Sequence, residues 1–417
     1  MTHAWPRSSR SRWKSLAFQR PLLTALSRAG VGPVALVGGA VRDLLLHRLH
    51  NDPWRGLPDL DLVVEGRASE LVEVLVGQLG EAVVQRCQEH GAYGTVELEL
   101  NLDGQQVLLD VATARCETYP VPAENPQVSF GSLADDLARR DFSINAMALD
   151  LASGTLLDPH GGQADLELRQ LRFLHDGSVR DDPTRLVRGA RYAARLGLEL
   201  EGASADQAAA TLVQWPWPWR QGDPPAEAPS ALGTRLRMEL ELLLEREPWP
   251  AALGALQRWG ALALLDPTLQ ADRQWPRRLR WAARLGVPLL VALAAGARQP
   301  LALAERLQLP HRQHRLLAQW LELRHRLGEQ QLEGSAALPE HWCALLEASG
   351  CSPEAVALAL ACGSGPRRPM LRWLLRWRQV KAELTAADLL AGGMRQGPEL
   401  GQRLRQLRAE RLRLERI

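Results

Sequence analysis

The chain has 417 residues, 46% of them hydrophobic and 24% charged, with a formal net charge of +2. This length exceeds one ordinary core and predicts two or more domains, and the composition excludes a disordered or collagen-like chain. Total charge names no partner, but its distribution does: no acid precedes Asp43, and Pro366 to Ile417 holds 13 Lys/Arg against 5 Asp/Glu, a pattern that fits a polyanion, with solvated helix faces as the alternative for either end alone.

In chain order, residues 1–32 read as a lead-in carrying Arg7, Arg10, Arg12, Lys14, Arg20 and Arg28, with a helix predicted from Pro21 to Arg28. Met1 to Arg20 is Ser/Arg-rich, faintly like a transit peptide, but lacks a signal-peptide core; a frayed start is the expectation. Val34 to Val37 reads as a buried strand, Ala40 to Arg48 as a helix, Leu60 to Val64 as a second apolar strand and Ala68 to Leu79 as a helix. Thr95 to Leu100 alternates like a half-exposed strand and Gln106 to Val111 makes another, with Asn101, Leu102, Asp103 and Gly104 as the turn between them. This order predicts an α+β fold, a mixed sheet with helices on one face rather than a doubly wound parallel sheet. Tyr119 to Gly131 carries three prolines and no helical period, and predicts a mobile loop. Ser132 then caps a helix running to Arg140, with Asp135 and Asp136 in its first turn.

Past about residue 180, Leu, Ala and Arg recur at helical spacing and strand signals vanish, which predicts an all-helical second half. The 14 tryptophans read as fillers between helices, including the Trp/Pro alternation at Trp215 to Trp219. The five cysteines form no CxxC pair and no Cys/His cluster, so the expectation is free thiols in a reducing, cytoplasmic compartment without structural zinc. No apolar stretch is long enough to span a membrane.

The carboxylates carry the chemistry. Asp59 and Asp61 lie two apart on a strand, so both point to one face. Two like charges persist so close together when a dication sits between them. Asp110 is a third acid inside an apolar strand, costly unless it faces a site. Were that strand to pair beside Leu60 to Val64, the three would hold two magnesium ions for in-line attack on a phosphoryl group. Gly38-Gly39 would let a triphosphate approach the backbone, and the helix that follows offers free N–H groups and a positive dipole end. Taken alone, the glycines fit an ordinary strand–helix turn equally well.

The motifs LVGGAVRD, DLDLVVEG, HGAYGT, LDVATAR, LADDLARRDFSINAMALDL, LLDPHGGQADL and DDPTRLVRGARYAARLG occur in this order. Together they resemble the class II tRNA nucleotidyltransferase/poly(A) polymerase family, which adds nucleotides to RNA 3′ ends without a template. The resemblance implies a polymerase-β-like nucleotidyltransferase head at 33–175, a helical neck for base recognition at 176–265 and a helical body and tail gripping the tRNA acceptor arm at 266–417. It implies Asp59 and Asp61 as metal ligands, Asp110 as the third carboxylate, which helps activate the RNA 3′-hydroxyl, and Gly38, Gly39 and Arg42 as the triphosphate turn. Arg140 and Asp141 would read the ribose 2′-hydroxyl, with Asn145 in the same motif. Asp182 and Arg185, three apart on a helix predicted to open at Pro183, could present a Watson–Crick-like edge to CTP or ATP; in the family this helix does that work, and an ordinary helix salt bridge is the plainer reading. Arg188 and Arg191 continue that face toward phosphate. Arg372 and Arg376, one turn apart beside Trp373 and Trp377, are candidate RNA contacts, with core tryptophans and solvated arginines as the alternative.

Two departures bear on the activity. The connection between Arg48 and Asp59 is longer than in many members. The Pro-rich segment after Arg115 lacks the basic residues of the loop that, in this family, helps the switch from C to A addition. Addition of CC only or A only is therefore an alternative to full CCA synthesis, beside a poly(A) polymerase and a non-catalytic RNA-binding protein.

Overall fold

The structure is a computed structural model and describes residues 2–4, 24–26, 30, 32–52, 59–91, 94–102, 104–329 and 338–415. The lead-in arginines, Lys14, most of the expected helix Pro21 to Arg28, the connection at 53–58, residues 92–93 of the HGAYGT motif and Asp103 of the expected turn lie outside them. The chain forms two compact units. One comprises Met1–Pro218, Pro229–Ala231 and Glu247–Trp259; the other comprises Trp219–Ala228, Leu232–Arg246 and Gly260–Ile417.

The first unit is built on an eight-stranded mixed sheet. Its strands are β1 (Thr2–Ala4), β2 (Val34–Val37), β3 (Asp59–Val64), β4 (Val84–His90), β5 (Thr95–Leu102), β6 (Gln105–Thr113), β9 (Ala148–Asp150) and β10 (Thr155–Leu157); β7 (Arg115–Thr118) and β8 (Gln127–Phe130) form a separate ribbon. The sheet order is β1-β10-β9-β2-β3-β6-β5-β4. β3 and β6 run parallel and the other neighbours antiparallel. Strand alternation divides the residues between two faces. One face presents Leu36, Leu62, Val96, Leu98, Leu109 and Val111, each at most 3% exposed. The helices Gly39–His50 and Ala68–Leu79 lie against these strands, and Leu71 and Leu75 are fully buried.

Two expectations need correction, and one strand carried no signal in the sequence. β4 was hidden in the sequence because it is a polar edge strand, exposed along most of its length. Helices do not keep to one face: Leu133 and Leu137 of the helix Leu133–Ala138 pack against Ala35, Val37, Val63 and Ala148, the opposite set of the alternation. The expected mobile loop Tyr119 to Gly131 contains β8, which pairs with β7. Its tip is tied down as well: the Ala123 N–H donates to Asp181 O at 3.1 Å and the Ala123 carbonyl accepts from Ala231 N–H at 3.0 Å. At the base of the ribbon Glu117 accepts from Arg115 and Arg139 at 2.8 and 2.9 Å.

Beyond residue 180 the one strand among the described residues is the two-residue Glu199–Leu200, paired with Gln170–Leu171; the rest is helices and turns. In the second unit the helix Pro353–Cys362 is apolar on nearly every side, with Ala355 to Ala361 buried. A helix without a polar face belongs at the centre, and this one packs against His311–Glu329, Trp275–Leu285 and Arg367–Leu375. Seven of the described tryptophans belong to the core. Trp217 and Trp219 are buried and their indole N–H groups donate to Arg180 O and Pro224 O. The expected Arg372/Arg376 stripe is broken because its helix ends at Leu375 and Trp377 opens a 3-10 turn. Trp373 and Trp377 are buried, and Arg376 pairs with Glu415 at 2.6 Å.

Candidate active site

The register of the sheet assembles the acids. Asp61 on β3 lies directly opposite Asp110 on β6, and Asp110 lies directly opposite Glu97 on β5. Paired residues share a face, so three acids form a row across three strands. Asp59 follows two residues before Asp61 on the same face, at the exposed end of β3. Burial, then the charges of Asp110 and Asp59, push the Asp61 carboxyl up to about 6, against opposing attraction from Arg140 and Arg42. Asp110 is also raised, by burial first and then by Glu97 and Asp59. Among the described residues no three His, Cys, Asp or Glu side chains close around a common point as a preformed metal cage would.

Glu97 escaped the sequence reading. Its alternating strand TVELEL placed Glu97 and Glu99 together on one face, but only the pairing register brings Glu97 beside Asp110.

Gly38 closes one side of this row. It follows β2, whose Val37 is paired with Asp61. A methyl group on Gly38 would stand 3.2 Å from Asp61 Oδ2 and 3.5 Å from an Arg140 guanidinium nitrogen, and its φ of 68° disfavours any side chain. The helix that follows starts at Gly39 with no side-chain cap and no acid in its first turn. Its first N–H groups, and the positive end of its dipole, are therefore open to an anion.

Behind the turn runs a buried chain of polar contacts. Arg42, 4% exposed, donates to Asn145 Oδ1 at 2.8 Å and to Asp43 at 2.8 Å, and stacks over Tyr192 with 5.0 Å to the ring centre. Asn145 donates to Asp141 Oδ1 at 2.9 Å, and Asp141 Oδ2 accepts from Arg188 at 3.2 Å. Burial alone would raise Asp141, but Arg188 and the Asn145 hydrogen bond outweigh it and hold the carboxyl below its ordinary range. Arg140 does not join this chain by its guanidinium–carboxylate contact: it pairs with buried Asp136 at 2.8 Å, where Asp136 also meets Arg139 at 2.6 Å.

This chain ties the sheet to the helix Thr184–Leu196. Gly189 of that helix lies so near the Phe142 ring that a methyl group there would come within 2.8 Å of it. Asp182 and Arg185 sit together near the start of the helix but differ from the expected edge. Asp182 precedes the helix in extended conformation, and its Oδ1 accepts from the Thr184 N–H at 3.1 Å and the Thr184 hydroxyl at 2.6 Å. Asp182 therefore braces the turn ahead of the helix, whose N-cap is Pro183, and is not a member of the helical face. Arg185, 3% exposed, contacts His175 Nε2 at 3.2 Å and the Arg139 carbonyl at 3.1 Å. Burial and the Arg185 charge lower the His175 pKa, which keeps the ring neutral beside the guanidinium. Arg191 and Arg195 both pair with buried Glu247 at 3.4 Å.

Residues 34–172 match the family described as Poly A polymerase head domain. The chain is similar to a CC-adding tRNA nucleotidyltransferase of Deinococcus radiodurans, 40% identical over 324 residues that make up 74% of this chain and 76% of the relative. It is also 40% identical over 181 residues to an A-adding tRNA nucleotidyltransferase of Halalkalibacterium halodurans, but spans only 39% of that relative. Among solved structures, the apo form II of a CCA-adding enzyme superimposes with a TM-score of 0.73 at 24% identity, covering 97% of this chain and 93% of that one. The Thermotoga maritima CCA-adding enzyme complexed with tRNA gives 0.67 at 24% identity, over 96% of this chain and 92% of that one. These two likenesses establish the fold.

Proposed function

The chain belongs to the class II tRNA nucleotidyltransferase/poly(A) polymerase family, and from that premise we propose that it adds CC to the 3′ end of tRNA without a template. The observation that carries the chemistry is Asp61 set directly opposite Asp110 beside Gly38. The donor set fits magnesium. Carboxylate oxygens are hard ligands, and magnesium is commonly held by one or two carboxylates plus substrate phosphates rather than by an all-protein cage. Burial and then the charges of Asp110 and Asp59 raise the Asp61 carboxyl, a cost that a bound cation would relieve.

Asp59, Asp61 and Asp110 would hold the two expected ions. Magnesium, when bound, supplies Lewis-acid stabilisation of charge on the phosphates. The open N–H groups after Gly38 receive the triphosphate, and Arg140, beside Gly38, adds positive charge. Asp110 accepts the proton of the RNA 3′-hydroxyl as that oxygen attacks the α-phosphate; the bond to the β-phosphate oxygen breaks and pyrophosphate leaves. Buried Arg42, Asn145 and Asp141 position the turn, and Asp141 and Asn145 carry the choice of ribose. Arg185, held by a neutral histidine and a carbonyl, reads the base with Asp182 behind it. We assign catalysis to 33–175, base choice to 176–265 and the grip on the tRNA acceptor arm to 266–417. Five free thiols accord with the cytoplasm.

Two observations favour CC over CCA. The relative matched along most of its length is a CC-adding enzyme. The Pro-rich segment is also pinned at Ala123 and paired as β7–β8, which leaves it little of the freedom that a switch from C to A would use. The test is product length on transcripts ending at the discriminator base, after one C and after two, with CTP and ATP supplied separately. Two cytidines and no adenosine are expected. Addition of A to the last transcript contradicts the CC reading, a long A tail marks a poly(A) polymerase, and no incorporation at all marks a binding protein.

A further inference from the structure

The second unit contains a cavity of about 410 Å³ lined by Gln274, Arg277, Arg278, Cys362 and Arg367, among others, with no acidic residue in its wall. Arg278, 7% exposed, forms the back of the basic cluster and is paired with Asp272 at 2.7 Å. Arg277 and Arg367 have no carboxylate partner among the described residues. Burial pushes the Cys362 thiol up to about 12, so it adds no negative charge.

Two helices begin at this cavity, Trp275–Leu285 and Arg367–Leu375. Neither first turn holds an acid; Asp272, ahead of the first helix, accepts the Gln274 N–H at 2.6 Å and is also engaged by Arg278. Both dipoles therefore add positive potential to the arginines. The Arg367 fork is also held in place, and Arg284, outside the cavity wall, shares its ring. Arg367 stacks over Trp281 with 5.3 Å to the ring centre and Arg284 with 5.7 Å. Stacking of this kind fixes a guanidinium that would otherwise lose side-chain entropy on binding.

We propose that this cavity is a phosphate seat, occupied by a backbone phosphodiester of the RNA substrate. The charge outside the cavity selects RNA over a free phosphate ion. The helix WPRRLRWAARL contains no acid, and Arg277, Arg280 and Arg284 are exposed along it. Such a row continues the positive surface past a single anion, as a polyanion requires. This replaces the broken Arg372/Arg376 stripe as the main RNA contact of the second unit. It rests on the reading of the chain as a tRNA-modifying enzyme.

The test uses the full chain and a tRNA transcript lacking its CCA end. The double variant Arg277→Gln/Arg367→Gln is compared with wild type and with Arg277→Lys/Arg367→Lys, after thermal melts show equal folding. Tighter binding at low salt should be lost in the glutamine variant, with the slope of log Kd against log salt shallower by about 0.7–0.9, the scale of one phosphate contact. The turnover at saturating tRNA should be unchanged while KM rises, and the lysine variant should recover most of the slope. Phosphate-ethylation interference should lose one or two discrete positions in the glutamine variant.

An unchanged interference map and slope overturn the seat. So does stabilisation of wild type alone by inorganic phosphate with equal tRNA affinity in both proteins, which would assign the cavity to a free ion. A wild type that neither binds nor extends tRNA overturns the seat together with the functional reading, and is told apart by the missing extension.

Discussion

Asp141 and Asp61 are the same residue type in the same unit, the first buried and the second half-buried, and their carboxyls move in opposite directions. Asp141 receives the Phe142 N–H, Asn145 and Arg188, and lies below the ordinary range. Asp61 faces Asp110 across the sheet and rises to about 6. A buried carboxylate whose donors are all supplied by the protein is part of the scaffold. One that is left against another acid has its compensation arriving from outside. The contrast separates, within one motif-rich region, a carboxylate whose charge the protein already satisfies from one whose charge it does not.

Short of removing Asp61 itself, the largest expected effect breaks the acid side of the contrast. Gly38→Ala should lower nucleotide incorporation by about 10²–10³-fold, the scale of losing one preorganised electrostatic contact, because the added methyl meets Asp61 Oδ2 at 3.2 Å. A single-turnover assay with saturating tRNA measures it, and less than a threefold loss would mean that Gly38 is only a turn residue.

Asp141→Asn should act through stability instead, lowering the unfolding free energy by about 3 kcal/mol, the scale of breaking a buried pair from one side. The native pKa of Asp141 lies below its unfolded value. Its contribution is therefore complete above the ordinary carboxylate value of about 3.9 and fades as pH falls through the native value. Urea melts of wild type and variant should differ by a constant amount at neutral pH and converge in acid; a gap that widens in acid would refute the pairing.

The smallest effect sharpens the boundary of the acid row. Glu97→Gln should raise the magnesium concentration needed for half-maximal activity by about two- to fivefold, or about 0.4–1 kcal/mol at about 1.4 kcal/mol per tenfold, because Glu97 adds negative potential at Asp110 without sitting beside Gly38. A magnesium titration at fixed CTP reads this, and an unchanged midpoint would make Glu97 a surface acid.

Much of this contrast was legible in the sequence, and the reasons are local. Asp59 and Asp61 share a face because strands alternate, and Gly38-Gly39 between a strand and a helix announces a tight turn, which the structure sets against Asp61. Ser132 as a cap with Asp135 is a pattern four residues long, and it is present as a capping box. What was not legible depends on partners distant along the chain. Glu97 joins the row through the β5–β6 register. Asp182 looked like a helical neighbour of Arg185 and instead braces the turn ahead of the helix, because the helix starts two residues later than Asp182. β4 has too few apolar residues to show a period. The tryptophan and arginine stripes seemed to continue past Leu375, where the backbone leaves the helix at Arg376.

The most direct measurement is incorporation of labelled CTP into tRNA lacking its CCA end by wild type and Asp61→Ala, with tRNA affinity and thermal midpoint taken on the same preparations. The account predicts two cytidines from wild type, none from the variant, equal tRNA affinity and a midpoint no lower than wild type, since the substitution relieves repulsion with Asp110. Incorporation by Asp61→Ala at a rate near that of wild type would contradict it.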